Sequence, residues 1–259
     1  MKLFCMDLDN TIIYSYRHDI GEHKRNVEIY QGREVSFVTD RTYELLLKMR
    51  EQFLLVPVST RTIEQYSRID LGIGSFPYAL VCNGGVLLRD GERDQNWYEE
   101  SKKAIEESLP ALARAADFLK RDPRRIFELR FIEDLFLFTK CEEPGQVTKE
   151  LEMLLAGEPV TVYHNGIKVY AVPRNLSKGR AVERLCEALK PEKLLAAGDS
   201  GFDSSMVEIA DPGLVPAGFS DRYHPVGNVR EMPGNRVFSE EALETALALS
   251  AKESRPRIV

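Results

Sequence analysis

The chain has 259 residues, of which 43% are hydrophobic and 29% charged, an ordinary globular balance with room for one large domain or two smaller ones. Its net charge of −6 argues against a nucleic-acid partner, which needs a basic face, and no apolar run reaches membrane-spanning length. The four cysteines, Cys5, Cys82, Cys141 and Cys186, are far apart and form no C-x-x-C pair, which removes the usual grounds for a zinc knuckle or a dithiol redox motif. Free thiols and the lack of a fitting signal peptide point to the cytoplasm.

Leu3 to Met6 is a short apolar run that reads as a buried strand, and it ends abruptly in Asp7-Leu8-Asp9-Asn10-Thr11. Residues two apart on a strand point the same way, so the two acids face one small volume. They repel each other unless a cation or a proton lies there. This suggests a metal-assisted site in which one carboxylate attacks and the other moves protons. From about Tyr14 to Thr39 the chain is polar at first and then carries a hairpin signal, with Val27 to Tyr30 and Glu34 to Val38 flanking Gln31-Gly32. A surface hairpin and a flap over the acids both explain it, and its place directly after the acids favours the flap. Arg41 to Gln52 has helical spacing, with Thr39 or Asp40 as N-cap. Phe53 to Val58 is a second strand ending in Ser59-Thr60-Arg61, and a helix follows from about Thr62 to Ile69. Ala79 to Cys82 is a third strand, closed by Asn83-Gly84-Gly85.

The texture then changes. Val86 to Leu88 and Asp90-Gly91 suggest a hairpin. Glu99 to Lys120 reads as a long charged helix, interrupted or bent near Pro110. Two strands, Ile126 to Phe131 and Leu135 to Thr139, flank Glu133-Asp134. A helix from Pro144 to Leu155 and a hairpin of Val160 to Tyr163 with Ile167 to Val172 complete an inserted α+β layer. From Ser177 the alternation returns: a helix to Leu189, a strand from Lys193 to Ala197 ending in Gly198-Asp199-Ser200-Gly201-Phe202-Asp203, another helix, strands near Leu214-Val215 and from Arg236 to Phe238, and a helix from Glu240 to Leu249. The tail from Lys252 is polar. Strands alternating with helices imply an α/β fold with a parallel sheet, whose ligands sit beyond the carboxyl ends of the strands. Asp7 and Asp9, Ser59 and Asp199 each stand at such an end.

Asp7-Leu8-Asp9-Asn10-Thr11, Ser59, Lys178 within Ser177-Lys178-Gly179, and Gly198 to Asp203, in this order, resemble the motif set of the haloacid dehalogenase superfamily of phosphatases. The resemblance covers nearly the whole chain. It implies a Rossmann-like core at residues 1–84 and 172–259, with an inserted type-IIB (C2B) cap at 85–171, as in the Cof-like and sucrose-phosphatase-like branches. Asn83-Gly84-Gly85 resembles their core-to-cap exit. The resemblance also implies duties. Asp7 is the nucleophile that forms an aspartyl-phosphate, and Asp9 protonates the leaving alkoxide and then activates water. Asp199 holds Mg²⁺ with Asp7 and the backbone carbonyl of Asp9, since oxygen ligands and phosphate chemistry favour that ion. Ser59, the amide of Thr60 and Lys178 bind the phosphoryl group. Asp203 supports the metal through water or holds Lys178. Thr11 orients Asp9 or caps the turn. Two positions depart from the Cof-like pattern, Thr60 where glycine is usual and Phe202 where asparagine is usual.

Simpler readings stand beside these: a helix cap for Ser59 or Thr60, a surface turn for the Gly-Asp-Ser-Gly run, and a helix-start acid for Asp203. Specificity is expected from the cap, where Glu128, Arg130, His164, Asn165 and Lys168 lie on strands or hairpin tips, and from Arg61. A solvated face or a salt bridge accounts for the same residues. The expectation is a Mg²⁺-dependent phosphomonoesterase of a small phosphorylated metabolite, such as a sugar phosphate. The alternatives are a phosphomutase or phosphotransferase of the same chemistry, and a ligand-binding relative without turnover.

Overall fold

The computed structural model describes residues 1–253; the end of the polar tail, residues 254–259, lies outside the described part. Two compact units emerge, one formed by Met1–Arg93 with the chain from Lys178 onward, the other by Asp94–Ser177. The first begins with β1 (Lys2–Met6), β2 (Tyr14–Ser15), β3 (Lys24–Tyr30), β4 (Arg33–Thr39), α1 (Asp40–Arg50), β5 (Leu54–Pro57), α2 (Ile63–Ser67), β6 (Tyr78–Val81), β7 (Val86–Arg89) and β8 (Glu92–Arg93). The second holds α3 (Gln95–Ala104), α4 (Leu109–Arg121), β9 (Arg130–Ile132), β10 (Phe136–Lys140), α5 (Pro144–Leu154), β11 (Val160–Asn165) and β12 (Lys168–Pro173). The chain then re-enters the first unit through α6 (Lys178–Leu189), β13 (Lys193–Ala197), α7 (Ser204–Glu208), β14 (Gly213–Val215), α8 (Phe219–Tyr223), β15 (Val229–Glu231) and α9 (Phe238–Glu253).

The sheet of the first unit has five strands, all parallel, in the order β15-β14-β13-β1-β5. β1 lies next to one edge strand and is paired on both flanks. Its residues Leu3 to Met6 are fully buried, as a continuous apolar run in a parallel sheet requires. The chain leaves β1 toward β5 on one side and later returns to β13 on the other. The carboxyl end of β1 is therefore a point where the winding direction reverses, the place where such sheets open a crevice. The sequence expectation began the insertion at residue 85; here β7 pairs antiparallel with β6, β8 pairs antiparallel with β7, and the second unit starts at Asp94.

The second unit is an antiparallel sheet, β11-β12-β10-β9. Leu137, Val160, Val162, Val169 and Ala171 line one face and pack on Leu112, Ala115, Leu119, Val147 and Leu151 of α4 and α5. Period-2 alternation places Arg130, Phe138, Tyr170 and Tyr163, which lie in register across the four strands, on the other face.

Three local expectations are settled. The helical stretch expected from Glu99 to Lys120 is interrupted rather than bent: α3 ends at Ala104, and Pro110 lies in the first turn of α4, where its missing N–H is not needed. No strand forms from Arg236 to Phe238. There the Glu241 carboxylate accepts from the amides of Gly234, Asn235 and Arg236, curling the segment around the start of α9, while β15 takes the sheet edge. Ser59 and Thr60 do not cap α2. Thr62 does, accepting from the Gln65 amide while Gln65 Oε1 accepts from the Thr62 amide. Among the described residues no helix is long and apolar enough to cross a membrane.

α6 approaches α7 through a residue without a side chain. A Cβ on Gly179 would stand 2.3 Å from the Ser205 carbonyl oxygen, and the Gly179 amide donates to Ser205 Oγ at 3.0 Å. Gly179→Ala is expected to destabilise the protein by about 1–3 kcal/mol, read as a lower urea midpoint. An unchanged midpoint would show that the two helices do not meet this closely.

Candidate active site

β1 delivers Asp7 to the crevice because its ladder continues one step beyond the strand: the Asp7 amide donates to Ala197 O at 2.9 Å. The following loop closes tightly. The amides of Thr11, Ile12 and Ile13 all point at Leu8 O (3.2, 2.9 and 2.8 Å), and Asn10 takes φ 63°, a conformation asparagine tolerates better than most residues. Thr11 is buried, and its hydroxyl donates to Asp199 Oδ1 at 3.3 Å. It thus reaches the acid of the far loop.

Lys178 opens α6 and is fully buried. Its ammonium donates to Asp7 Oδ1 at 2.5 Å and to Asp203 Oδ1 at 2.6 Å. Asp203 Oδ2 accepts from the amides of Asp199 (3.1 Å) and Ser200 (2.9 Å) and from Ser200 Oγ (2.9 Å). The loop closes on this carboxylate only because residue 198 is glycine, where a Cβ would stand 2.3 Å from that of Asp203. Both oxygens of Asp203 are engaged by these donors, so it holds Lys178 and shapes the Asp199 loop.

Carboxylate oxygens of Asp7, Asp199 and Asp203 lie within 4.8 Å of one another. Burial pushes the Asp7 carboxyl well above the usual range, the neighbouring acids add to that, and Lys178 opposes it. Burial, then Asp203, raises Asp199 to about 7, against the opposing pull of Lys178 and Thr11. The site thus holds more negative charge than its lysine neutralises, and the donors are all oxygen. That is the environment a hard divalent cation such as Mg²⁺ takes. Asp7 and Asp199 are the carboxylates with oxygens to offer.

Ser59 follows β5 and is buried; its amide donates to Leu80 O at 2.8 Å and its hydroxyl accepts from the Arg61 amide at 3.2 Å. Arg61 turns back toward Asp9 and grips it with two parallel bonds of 2.7 Å, Nε to Oδ2 and Nη2 to Oδ1. Its remaining donors go to Glu28 Oε1 and Oε2 (2.9 and 3.0 Å) and to Gln65 O (3.2 Å). All five guanidinium N–H groups are engaged within the protein, so of the two readings of Arg61, substrate contact and salt bridge, it is the salt bridge, to Asp9 and Glu28, that forms.

Sequence reasoning did not single out Glu28. It lies on β3 between Val27 and Ile29, where strict alternation would turn it outward, but register shifts on either side of it rotate it inward and bury it. Burial pushes its carboxyl up, yet Arg61, Ser36 and Arg68 outweigh this and hold it below its usual value. The hairpin expected from Val27 to Val38 is a three-stranded sheet in the order β2-β4-β3.

In the second unit Arg130 lies in register with Phe138, and Lys168 pairs with Lys140 and Asn165, so these residues share the sheet face away from α4 and α5. His164 pairs with the core residue Val169 on the opposite face, near Gly145 of α5. The cap candidates therefore do not share one surface. Glu128 forms an ion pair with Arg130.

A family model described as Sucrose-6F-phosphate phosphohydrolase matches residues 136–218, which include Lys178 and Asp199. The sucrose-phosphatase of Synechocystis sp., solved with sucrose and phosphate, is 19% identical and superposes with a TM-score of 0.68 over 96% of this chain and 98% of that one. A haloacid dehalogenase-like hydrolase from Bacillus subtilis gives a TM-score of 0.55 at 15% identity over 96% of this chain and 91% of that one. The chain has the fold of the haloacid dehalogenase-like hydrolases. A phosphoglycolate phosphatase from Methanopyrus kandleri is 23% identical over 189 residues, 71% of this chain and 78% of that protein. The α/β core with a parallel sheet and an inserted unit observed here is the fold shared with those solved structures.

The charge balance of this site has a pH signature. A carboxyl near 7 when folded and near the ordinary value of about 4 when unfolded keeps, over that interval, a proton the unfolded chain has lost. The metal-free protein is therefore expected to lose stability as pH rises from about 4 to about 7. Added Mg²⁺ should raise the melting temperature more at pH 7.5 than at pH 5. Equal shifts at the two pH values would contradict a metal bound by this carboxylate.

Proposed function

We propose that the chain is a Mg²⁺-dependent phosphomonoesterase acting on a small phosphorylated metabolite, with a sugar phosphate as its substrate class. One observation carries the reading: the buried Lys178 ammonium bridges Asp7 and Asp203 at 2.5 and 2.6 Å, beside Asp199 at the switch point of a parallel sheet. A cation fixed against a strand-end carboxylate is suited to receive phosphoryl oxygens while that carboxylate attacks.

In the first step an Asp7 oxygen attacks phosphorus, the bond to the leaving oxygen breaks, and Asp9 gives that oxygen its proton. In the second, Asp9 takes a proton from water as the water attacks the aspartyl-phosphate, releasing inorganic phosphate and restoring Asp7. Lys178, Ser59 and the Thr60 amide hold the phosphoryl oxygens. Bound Mg²⁺, held by the carboxylates of Asp7 and Asp199 and the carbonyl of Asp9, supplies positive charge to offset theirs. The sugar-phosphate class is supported by similarity to the Synechocystis sucrose-phosphatase and by the sucrose-phosphate family match. That the four cysteines form no disulfide among the described residues supports a cytoplasmic setting.

Phosphate release measured over a panel of sugar phosphates, nucleotides and phosphoglycolate tests the reading. EDTA should stop turnover and Mg²⁺ restore it. Asp7→Asn should lower kcat by roughly 10³-fold or more, as loss of a nucleophile does. Undiminished release by Asp7→Asn would overturn the assignment.

A further inference from the structure

The hairpin inserted directly after the first acidic motif places a charge inside the site. Glu28 is 3% exposed, and a carboxylate so deep in the protein persists only with partners. It has four donors: Ser36 Oγ at 2.6 Å, Arg61 Nη1 and Nη2 at 2.9 and 3.0 Å, and Arg68 Nε at 3.2 Å. Ser36 comes from the neighbouring strand β4, so the hairpin presents the acid as a preset unit. Its backbone is fastened as well, with Asn26 Nδ2 donating to Glu28 O and Ser36 O at 3.0 Å each, and the Asp70 amide donating to Val27 O at 2.9 Å.

Arg61 thus lies between two carboxylates. One edge of its guanidinium grips both oxygens of Asp9, and the other grips both oxygens of Glu28. A guanidinium is planar and rigid, so fixing one edge fixes the direction of the other. Arg68 also touches Glu28, stacks on Tyr30 with its guanidinium carbon 4.5 Å from the ring centroid, and has no bond to Asp9 among those seen.

We propose that Glu28 is a positioning residue for proton transfer: through Arg61 it sets where the Asp9 carboxyl stands when the leaving oxygen takes its proton. This rests on the phosphomonoesterase reading above. The hairpin is then a working part of the site, acting from behind the acid/base residue. Glu28 forms no bond to Asp7, Lys178 or Asp199 among those seen, so its effect falls on the leaving-group proton rather than on nucleophilic attack.

That division gives a readout which general destabilisation does not move. An activated phenol departs with little help from an acid, whereas an alkoxide needs its proton. Glu28→Gln keeps the size and removes the charge that holds Arg61. The kcat/KM values of wild type and variant are compared on p-nitrophenyl, phenyl and benzyl phosphate, esters of similar shape and graded leaving ability. The expected loss is roughly 10- to 100-fold on benzyl phosphate and less than about 3-fold on p-nitrophenyl phosphate, within the range general acid catalysis supplies. Arg68→Gln, which loosens the same hairpin without touching Arg61 or Asp9, should leave the ratio of the two esters as in wild type. If Glu28→Gln does not fold, Arg61→Lys keeps the charge, loses the fork and is expected to show the same graded loss. Equal losses across the three esters in an active enzyme overturn the role of Glu28 alone. A wild-type protein that releases phosphate from none of them overturns the phosphatase reading and this inference together.

Discussion

The structure around the site depends on one buried cation. Lys178 is 1% exposed and lies between Asp7 and Asp203, where an ammonium without partners would be too costly to keep charged. Each partner is fixed independently of it: Asp7 by the backbone ladder of β1, Asp203 by the amides of its own loop. The lysine thereby joins the N-terminal strand to two C-terminal elements, α6 and the loop after β13. Removing the lysine leaves two carboxylates without their cation in the interior, and removing either acid takes a partner from the buried ammonium, so the same residues that organise the chemistry also hold the first unit together.

The acids do not neutralise one another, and the sheet keeps them close in spite of that. Asp7 and Asp199 are carried by adjacent parallel strands paired over five positions, Lys2 with Lys193 through Met6 with Ala197. Backbone hydrogen bonds therefore hold in place a repulsion that side chains alone would relax. Burial first, and then the neighbouring Asp203, raise Asp199 to about 7, and a divalent cation is the natural counterweight to the clustered acids.

Much of this was legible in the sequence because it is local. Apolar runs that end in acids or hydroxyls mark strand ends, and three such marks, at Asp7, Ser59 and Asp199, together with Lys178 at a helix start, outline the core. The misreadings share a cause, which is partners distant in sequence or a break in periodicity. Arg236 to Phe238 has the composition of a strand, but Glu241 binds the preceding amides. Ser59 has the position of a cap, but the reciprocal Thr62–Gln65 bonds displace it. Arg61 was open to a substrate contact or a salt bridge, and it forms the bridge; nothing nearby in sequence announced its partner Glu28, which was hidden by a bulge that breaks the alternation on which strand reading relies. His164 was grouped with Arg130 and Lys168 by polarity, and strand parity separates them.

The short first strand has a further consequence. Its side chains are interchangeable in kind, since any close-packing apolar residue serves at Leu3 to Met6, but its length is not. Each residue added or removed along β1 moves the acids beyond it by one pleat, about 3.3 Å, and turns them to the opposite face. Asp7 would then leave Lys178, and Asp9 would leave the Arg61 fork. The site is thus specified by counting as much as by composition: a strand of five residues, with the acid directly after it, places that carboxylate opposite the loop after β13.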